Sequence, residues 1–524
     1  MISRIQELSK DDSNEAGRIP RTLDIELLDD LVDAVSPGDI ITVSGIVRAK
    51  TIEEGKGNTM HVLYLEAHFV TALKCEADED SVDETNNSFS RFSDEDIKFF
   101  HSLAKKPNLF KILSSSLCPM IFGHEMVKAG LTLGLFGGRS KATASGSEIN
   151  IRGEPHILVV GDPGLGKSQL LNAVANVAPR SVYVCGNTTT TAGLTVTMHH
   201  DTSSGDYALE AGALVLADQG VCCIDEFDKM IDHRSLLESM EQQSISIAKA
   251  GIVCSLPART SIIAAANPIG GHYNERKTVC ENLKMNPALL SRFDLVFILL
   301  DKANEEKDIH LSKHVMRSHT GIKFAPASSV LLDHLKHEQV DEAELISASM
   351  LRKYINYAKK NVVPRLTRPA AEEIQKFYLS LRNEHKWDDI VPITTRQLES
   401  MIRLTEARAK LELRSLATKE DALQVIELMK HSLFDYLKSD EAVNPNHSLR
   451  GTGKKANFKR FIAHLQSIHD RTGEDSFSLQ QLKQEASNLK IEMTNFDEFL
   501  ESLNHHGFLL KRAKGMYRLS TAVS

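Results

Sequence analysis

The chain has 524 residues, of which 42% are apolar and 25% are charged, the balance of an ordinary globular protein. Its longest apolar runs, such as LVFILL at 295–300, fall far short of the about 18 residues that a membrane helix needs, so we expect no membrane contact. A net charge of −8 argues against a protein coated in basic surface, although it is compatible with a narrow basic channel. The seven cysteines form no C-x-x-C pair, and we expect reduced thiols and no zinc site.

The N-terminal part of the chain predicts a β-rich domain that is followed by helices. Residues 1–75 contain the strand patterns DIITVSGIVRAK and MHVLYLEAHFV, which indicate part of a small β-barrel. Residues 76–95 are acidic and polar, and we expect a linker there. Apolar residues then recur at helical spacing up to residue 136, before a loop rich in glycine and serine.

The remainder of the chain predicts a multidomain α/β protein. Between residues 156 and 300, apolar runs alternate with helical stretches, which favours a parallel sheet buried on both faces. The next segment is almost entirely helical in pattern, and the last segment has the helix–helix–helix–hairpin order of a winged helix. We therefore expect an α/β core at 96–325, a helical domain at 335–437, a linker at 438–455 and a winged helix at 456–524.

The string HILVVGDPGLGKSQLLNAVANVA places G-x-x-x-x-G-K-S between a strand and a helix. Glycines at this spacing let the loop direct its backbone N–H groups at phosphates, next to the helix N-terminus. The lysine would reach the β- and γ-phosphates of ATP, and the serine hydroxyl would bind Mg²⁺. The predicted nucleotide-binding residues are Gly161, Asp162, Pro163, Gly164, Leu165, Gly166, Lys167 and Ser168.

A second apolar strand, GVCCI, ends in two carboxylates, Asp225 and Glu226. After a phosphate-binding loop at this spacing, we expect one carboxylate, Asp225, to hold Mg²⁺ through water and the other, Glu226, to polarise the attacking water. The alternative is an acidic strand end that caps the next helix.

Three further residues are candidates for hydrolysis. Asn267 follows the strand pattern SIIAAA and could orient water, or it could cap the turn before Pro268. Arg292 precedes another strand and has the guanidinium group that suits transferring phosphoryl oxygens, or it could be a surface residue paired with Asp294. Arg396 begins an apolar-periodic helix and could also be an ordinary helical surface residue.

Residues 241–260, EQQSISIAKAGIVCSLPART, predict a β-hairpin. Ile245 and Ile247 alternate with serines, and Ala250–Gly251 offers a turn. Lys249 is then expected at the tip, where it could contact a phosphate backbone or simply be solvated.

Together these motifs resemble an AAA+ P-loop ATPase core with a helical lid. The strings IDEFDKM, MEQQSISIAKAGIVCSLPARTSIIAAANP and NLKMNPALLSRFD resemble the minichromosome maintenance (MCM) DNA helicases over roughly residues 20 to 524. Within that family, GDPGLGKSQ, CGNTTTTAGLT and GGHYN are most similar to the branch of the eighth paralogue, which acts in recombination and repair.

The resemblance implies a role for each candidate. It implies that residues 1–75 are a partial OB-type barrel and that the chain is a nuclear subunit of a hexameric ring that translocates 3′ to 5′ on single-stranded or forked DNA. Lys249 would grip single-stranded DNA in the ring channel, and a second inserted hairpin is expected within 191–213. Arg292, as an arginine finger, and Arg396 would be supplied by neighbouring subunits, with the ninth paralogue as the expected partner in a hetero-hexamer.

One departure from the family pattern concerns the N-terminal region. The family carries a helical subdomain and a zinc module that are not recognisable here, and we expect an N-terminally truncated form of the chain. The predicted function is ATP-dependent DNA unwinding in homologous recombination and repair. The alternatives are a replicative MCM subunit, a different AAA+ motor that remodels protein, and a non-enzymatic scaffold that binds DNA.

Overall fold

The computed structural model divides the chain into two compact units, residues 1–274 with 278–437 and residues 275–277 with 438–524. Among the described residues, no helix combines the length and the apolar character needed to cross a membrane. The described residues are 2–7, 21–32, 34–54, 58–72, 92–140, 152–200, 207–230, 233–249, 252–274, 279–301, 305–320, 345–384, 394–443, 476–478, 481–482, 509–513 and 516–519.

The N-terminal strands form one four-stranded sheet in the order β1-β2-β4-β3. The two long strands β3 and β4 are antiparallel, and a bulge at Ser44–Gly45 bends the pair. Ile25 and Ala67, which belong to its strands, form a small buried cluster with Leu27. Its strands are β1 (Ile2–Gln6), β2 (Thr22–Glu26), β3 (Ile41–Glu54) and β4 (Asn58–Ala72).

The predicted parallel sheet has five strands in the order β13-β5-β12-β9-β6. Ile157 and Val159 of β5 belong to a buried cluster with the lid helices, whereas Leu158 and Val160 belong to the cluster on the other face. Burial on both faces explains the continuous apolar runs of four of these strands, whereas the edge strand at 181–185 is only partly buried. The strands are β5 (Ile157–Gly161), β6 (Ser181–Cys185), β9 (Val221–Asp225), β12 (Ser261–Ala266) and β13 (Leu295–Leu299).

Two antiparallel hairpins are inserted between strands of this sheet, as predicted. One joins β6 to β9 and consists of β7 (Val196–His200) and β8 (Tyr207–Ala211). The other joins β9 to β12 and consists of β10 (Ser244–Lys249) and β11 (Ile252–Pro257). The turn residues 201–206 and 250–251 lie outside the described residues.

Helices flank the sheet on both faces. Their bounds are α1 (Asp94–Ala104), α2 (Leu109–Leu117), α3 (Glu125–Phe136), α4 (Lys167–Val177), α5 (Thr191–Leu194), α6 (Ala213–Leu216), α7 (Arg234–Gln242), α8 (Val279–Leu283), α9 (Pro287–Leu290) and α10 (Glu305–Thr320), and two 3-10 turns lie at Asp29–Leu31 and Phe227–Lys229.

In the described part of the predicted helical domain there are four helices and a short parallel pair, β14 (Arg365–Leu366) with β15 (Leu416–Ala417). The last helix continues to Val443, past the expected domain end at 437, because the sequence offers no helix breaker before Pro445. The helices are α11 (Ala348–Asn361), α12 (Arg368–Glu384), α13 (Thr395–Leu411) and α14 (Lys419–Val443).

The second unit contains a three-stranded sheet in the order β16-β18-β17, formed by β16 (Ser476–Ser478), β17 (Leu509–Ala513) and β18 (Met516–Leu519). The strands β17 and β18 form the hairpin that the winged-helix prediction requires. The three predicted helices before it lie almost entirely outside the described residues, as do most of the linkers predicted at 76–95 and 438–455.

Candidate nucleotide-binding site

The G-x-x-x-x-G-K-S loop connects β5 to α4 at the carboxyl edge of the parallel sheet. Gly164 and Gly166 have φ angles of 90° and 77°, which other residues rarely adopt. The loop borders a cleft of about 350 Å³. The cleft is lined by Pro163, Gly164, Gly166, Lys167, Ser168, Gln169, Asp225, Glu226 and Asn267.

Lys167 is buried at the base of this loop. Its Nζ donates hydrogen bonds to the carbonyl oxygens of Gly161, at 2.7 Å, and of Asp162, at 2.6 Å. Burial lowers the pKa of the Lys167 ammonium, and the carboxylates of Asp162, Asp225 and Asp228 partly offset this effect. The ammonium therefore lies where a phosphate can take the place of backbone carbonyls as its acceptor.

The first carboxylate of the strand end is held by two donors. Asp225 Oδ2 accepts a hydrogen bond from the Tyr183 hydroxyl at 2.9 Å, and Oδ1 accepts one from the Glu226 N–H at 2.9 Å. Burial, together with the adjacent Asp225 carboxylate, raises the pKa of the Tyr183 phenol, so Tyr183 stays a donor. Tyr183 lies on the neighbouring strand β6 and was not identified from the sequence.

Glu226 adopts the left-handed backbone region with φ 51°, a conformation that is enriched at functional sites. Its Oε1 accepts a hydrogen bond from Lys229 Nζ at 3.0 Å, and its Oε2 accepts one from the Cys185 thiol at 3.6 Å. Lys229 follows in the same IDEFDKM string, yet nothing in the sequence indicated that it would contact this carboxylate.

Asn267 directly follows β12 and lines the same cleft. Its backbone N–H donates to Asp228 Oδ1 at 2.9 Å, which ties the end of β12 to the turn after β9. Nearby, Asp162 Oδ1 accepts from the Tyr273 N–H at 2.7 Å and fixes the phosphate loop against the segment that follows Asn267.

The two predicted arginines are brought together away from this cleft. The Arg292 guanidinium pairs with Glu241 Oε2 and also donates to the Ala288 carbonyl oxygen at 2.6 Å. Arg396 pairs with Glu241 Oε1 at 2.9 Å and donates to the Ser291 hydroxyl at 3.1 Å. Neither arginine is among the described residues that line the cleft.

The alternative pairing of Arg292 with Asp294 is wrong. Asp294 is buried and pairs with Arg152, at 3.2 Å, and with Arg403. The guanidinium of Arg292 donates instead to Glu241, a carboxylate 51 residues earlier in the chain.

Lys249 is the last residue of β10, and its backbone pairs with Ile252. Ile245 and Ile247 are buried at the base of the hairpin, whereas Val253, close to the turn, is 83% exposed. The hairpin at 244–257 is thus buried at its base and exposed at Val253, and the role of Lys249 stays a prediction.

The chain is 52% identical to the protein named DNA helicase MCM8 from Gallus gallus and to that from Homo sapiens, in each case over 99% of its length, and it spans 66% and 65% of these relatives. It is 44% identical to the protein named Probable DNA helicase MCM8 from Oryza sativa subsp. indica, over 99% of the chain and 70% of that relative. The chain belongs to the MCM family.

Four MCM domain families match successive parts of the chain. They are the MCM OB domain at 2–51, the MCM P-loop domain at 96–319, the MCM AAA-lid domain at 349–433 and the MCM8 winged helix domain at 446–521. These matches confirm the predicted fold class and the resemblance to the eighth-paralogue branch. The chain spans just under two thirds of the chicken and human relatives.

The cleft lies within the part of the chain that matches the MCM P-loop domain, a nucleotide-binding domain. The structure brings Lys167, Ser168, Asp225, Glu226 and Asn267 together around this cleft. No group of three or more metal-ligating side chains occurs among the residues that the structure describes. A Mg²⁺ ion in a P-loop site takes much of its coordination from nucleotide phosphates and water, so the oxygens of Ser168 and Asp225 fit the ion without forming a cluster of their own.

Proposed function

We propose that the chain is an ATP-hydrolysing subunit of an MCM ring helicase that translocates on single-stranded DNA and unwinds duplex in recombination and repair. The observation that carries the proposal is the separation of the two sets of candidate residues. Lys167 and the strand-end carboxylates line one cleft, whereas Arg292 and Arg396 lie together elsewhere on the same subunit. Such a subunit would complete a hydrolytic site only with the arginines of a neighbour.

Each residue of the cleft would have a separate role in ATP binding or hydrolysis. The backbone of Gly161–Ser168 would bind the ATP phosphates, and Lys167 would exchange its carbonyl acceptors for β- and γ-phosphate oxygens. Bound Mg²⁺ would offset phosphate charge, and its protein ligands would be Ser168 directly and Asp225 through water. Glu226 would take a proton from the attacking water, while Asn267 would hold that water in position.

The arginines would act on the nucleotide of the adjacent subunit. A guanidinium placed on the transferring phosphoryl group stabilises the charge that its oxygens carry in the transition state. In this proposal Arg292 is the finger and Arg396, from the lid, is its companion.

The hairpin would connect hydrolysis to DNA. Lys249 is the last residue of β10 in this hairpin, and six copies would present six cations to one strand. Phosphate contacts carry affinity without reading sequence, which suits a motor. We further propose that the ring is a nuclear hetero-hexamer with the ninth paralogue, on the basis of the likeness to the eighth-paralogue branch.

The test compares ATP hydrolysis with and without single-stranded DNA, for the chain alone and mixed with its ninth-paralogue partner. The decisive variant is Lys249→Ala, and Lys98→Ala, on the exposed face of α1, is the matched control. We expect DNA to stimulate hydrolysis in the assembled ring, the Lys249→Ala change to remove the stimulation, and the control to retain it.

The other outcomes separate the alternatives. Hydrolysis that ignores both DNA and Lys249 in an assembled ring would refute the helicase and move the function to protein remodelling. DNA binding without hydrolysis in any mixture would favour a scaffold.

A further inference from the structure

One carboxylate holds both of the arginines that the proposed function assigns to a neighbour's nucleotide. Glu241 lies in the last turn of α7, and its two oxygens accept from Arg292 and from Arg396. We call these three residues the arginine clasp. The partners of Glu241 are distant in the chain, by 51 and 155 residues, so only the fold brings them together.

A buried ionic network holds the backbone segments that carry the arginine clasp. The Arg152 guanidinium donates to the backbone carbonyl oxygens of Met240 and Arg292, each at 3.2 Å, and so ties the end of α7 to the loop that carries the finger. Arg152 also pairs with Asp294, which in turn pairs with Arg403 on the lid helix α13. The backbones that carry all three clasp residues are thus fixed relative to one another.

The stability that the clasp adds is small, because the Glu241 side chain is 50% exposed. Ion pairs of this exposure contribute little to stability, because solvent screens the two charges. The clasp affects the positions of the two guanidinium groups more than it affects stability. Two guanidiniums that repel one another are held one on each oxygen of a single carboxylate, at a fixed separation, and the net charge of the group falls from +2 to +1.

We propose that Glu241 is a positioning residue that holds Arg292 and Arg396 as one unit, so that both reach the same phosphoryl group of a nucleotide bound by the neighbouring subunit. This inference rests on the proposed function. It assigns Glu241 no contact with the substrate, and its effect would pass through the two arginines.

The experiment is a complementation assay of ATP hydrolysis in assembled rings with DNA. Lys167→Ala subunits lack a nucleotide site and Arg292→Ala subunits lack a finger, so each is inactive alone and their mixture regains activity if the site is shared. Glu241→Ala alone should lower kcat by about 10- to 100-fold, the usual effect of a misplaced catalytic group, without weakening ATP binding. Mixing it with Lys167→Ala should restore hydrolysis.

The controls separate the possible failures. Glu241→Gln, which keeps one acceptor oxygen, should lose less activity and covers the case in which the alanine variant does not fold. Glu238→Gln, one turn earlier on α7, should hydrolyse ATP like the unchanged chain.

Failure of the Lys167→Ala and Arg292→Ala mixture would refute the shared site and, with it, this inference. If that mixture recovers, three results would overturn the role of Glu241 alone: unchanged kcat, increased kcat, or no recovery when Glu241→Ala is mixed with Lys167→Ala.

Discussion

Replacing the buried carboxylate Asp294 by Asn should strongly destabilise the core. The Asp294 side chain is 1% exposed and pairs with Arg152 and with Arg403, whose own side chain is 3% exposed. It also accepts hydrogen bonds from the Ser400 hydroxyl and, at 2.7 Å, from the His156 N–H. Asn preserves the shape of the group, but it removes the negative charge and directs an amide N–H₂ at cationic neighbours.

The expected loss is about 3 to 5 kcal/mol, because breaking a buried ion pair from one side leaves a desolvated charge without compensation. Burial raises the pKa of Asp294, but the two guanidiniums outweigh it and the pKa falls from 3.8 to about 2. A lowered pKa in the folded state means that the ionised carboxylate stabilises the protein above pH 3.8. That contribution is lost as the pH falls through about 2.

The assay is chemical denaturation of the unchanged chain and of Asp294→Asn, followed by a signal from the core. Glu372→Gln is the control, since its pair with Arg368 spans 3.5 Å between largely exposed side chains and should contribute less than about 1 kcal/mol. The difference between Asp294→Asn and the unchanged chain should shrink as the pH is lowered from 4 towards 2. A loss no greater than that of the control, or one independent of pH in this range, would refute the reasoning.

Two further changes test the cleft and the lid. Glu226→Gln should bind ATP like the unchanged chain but hydrolyse it about 10² to 10⁴ times more slowly. Lys167→Ala, in contrast, should not bind ATP. Binding is measured with a fluorescent nucleotide, and an equal loss of binding in both variants would contradict the separate roles of the two residues. Burial lowers the pKa of Lys410 from 10.5 to about 8, so the folded state loses stability below pH 8 and regains it as the pH rises from 8 to 10.5. Lys410→Met should therefore stabilise the core at pH 7 by about 1 to 2 kcal/mol, and this gain should disappear by pH 10. The gain is the ionisation cost of about 3 kcal/mol, reduced by the lost hydrogen bond to the Gly138 carbonyl oxygen. A variant that is less stable than the unchanged chain at pH 7 would show that the Lys410 ammonium is well compensated.

The elements that the sequence predicted well are those set by short-range patterns. The phosphate loop needs a strand, glycines at fixed spacing and a helix, and all of these occur within one stretch of chain from Ile157 to Val177. The hairpin at 244–257 likewise follows from local alternation and a turn. Asp225 and Asn267 could be placed near the loop because each ends a parallel strand, and such ends meet at one edge of a sheet.

The partners that the sequence did not predict depend on contacts between distant segments. Tyr183 reaches Asp225 because β6 pairs with β9, and strand order cannot be read from local pattern. Glu241 lies in the string MEQQ, where an exposed glutamate on a short helix carries no signal until the lid helix brings Arg396 against it. For the same reason the sequence offers Asp294, the nearest carboxylate in the chain, as the alternative partner of Arg292.

The position of Glu241 also suggests how hydrolysis would move DNA. Helix α7 ends at Gln242, Gln243 caps it in a left-handed conformation, and β10 begins at Ser244, so Glu241 and Lys249 lie on one continuous segment. When the arginines engage or leave a neighbour's phosphate, any shift of Glu241 would pass directly into the base of the hairpin. Because Ile245 at the base of the hairpin is buried in a close-packed core, the hairpin would move with that shift as a rigid unit. Glu241→Ala should then reduce DNA stimulation of hydrolysis more than basal hydrolysis, and an equal reduction of the two would separate the clasp from the hairpin.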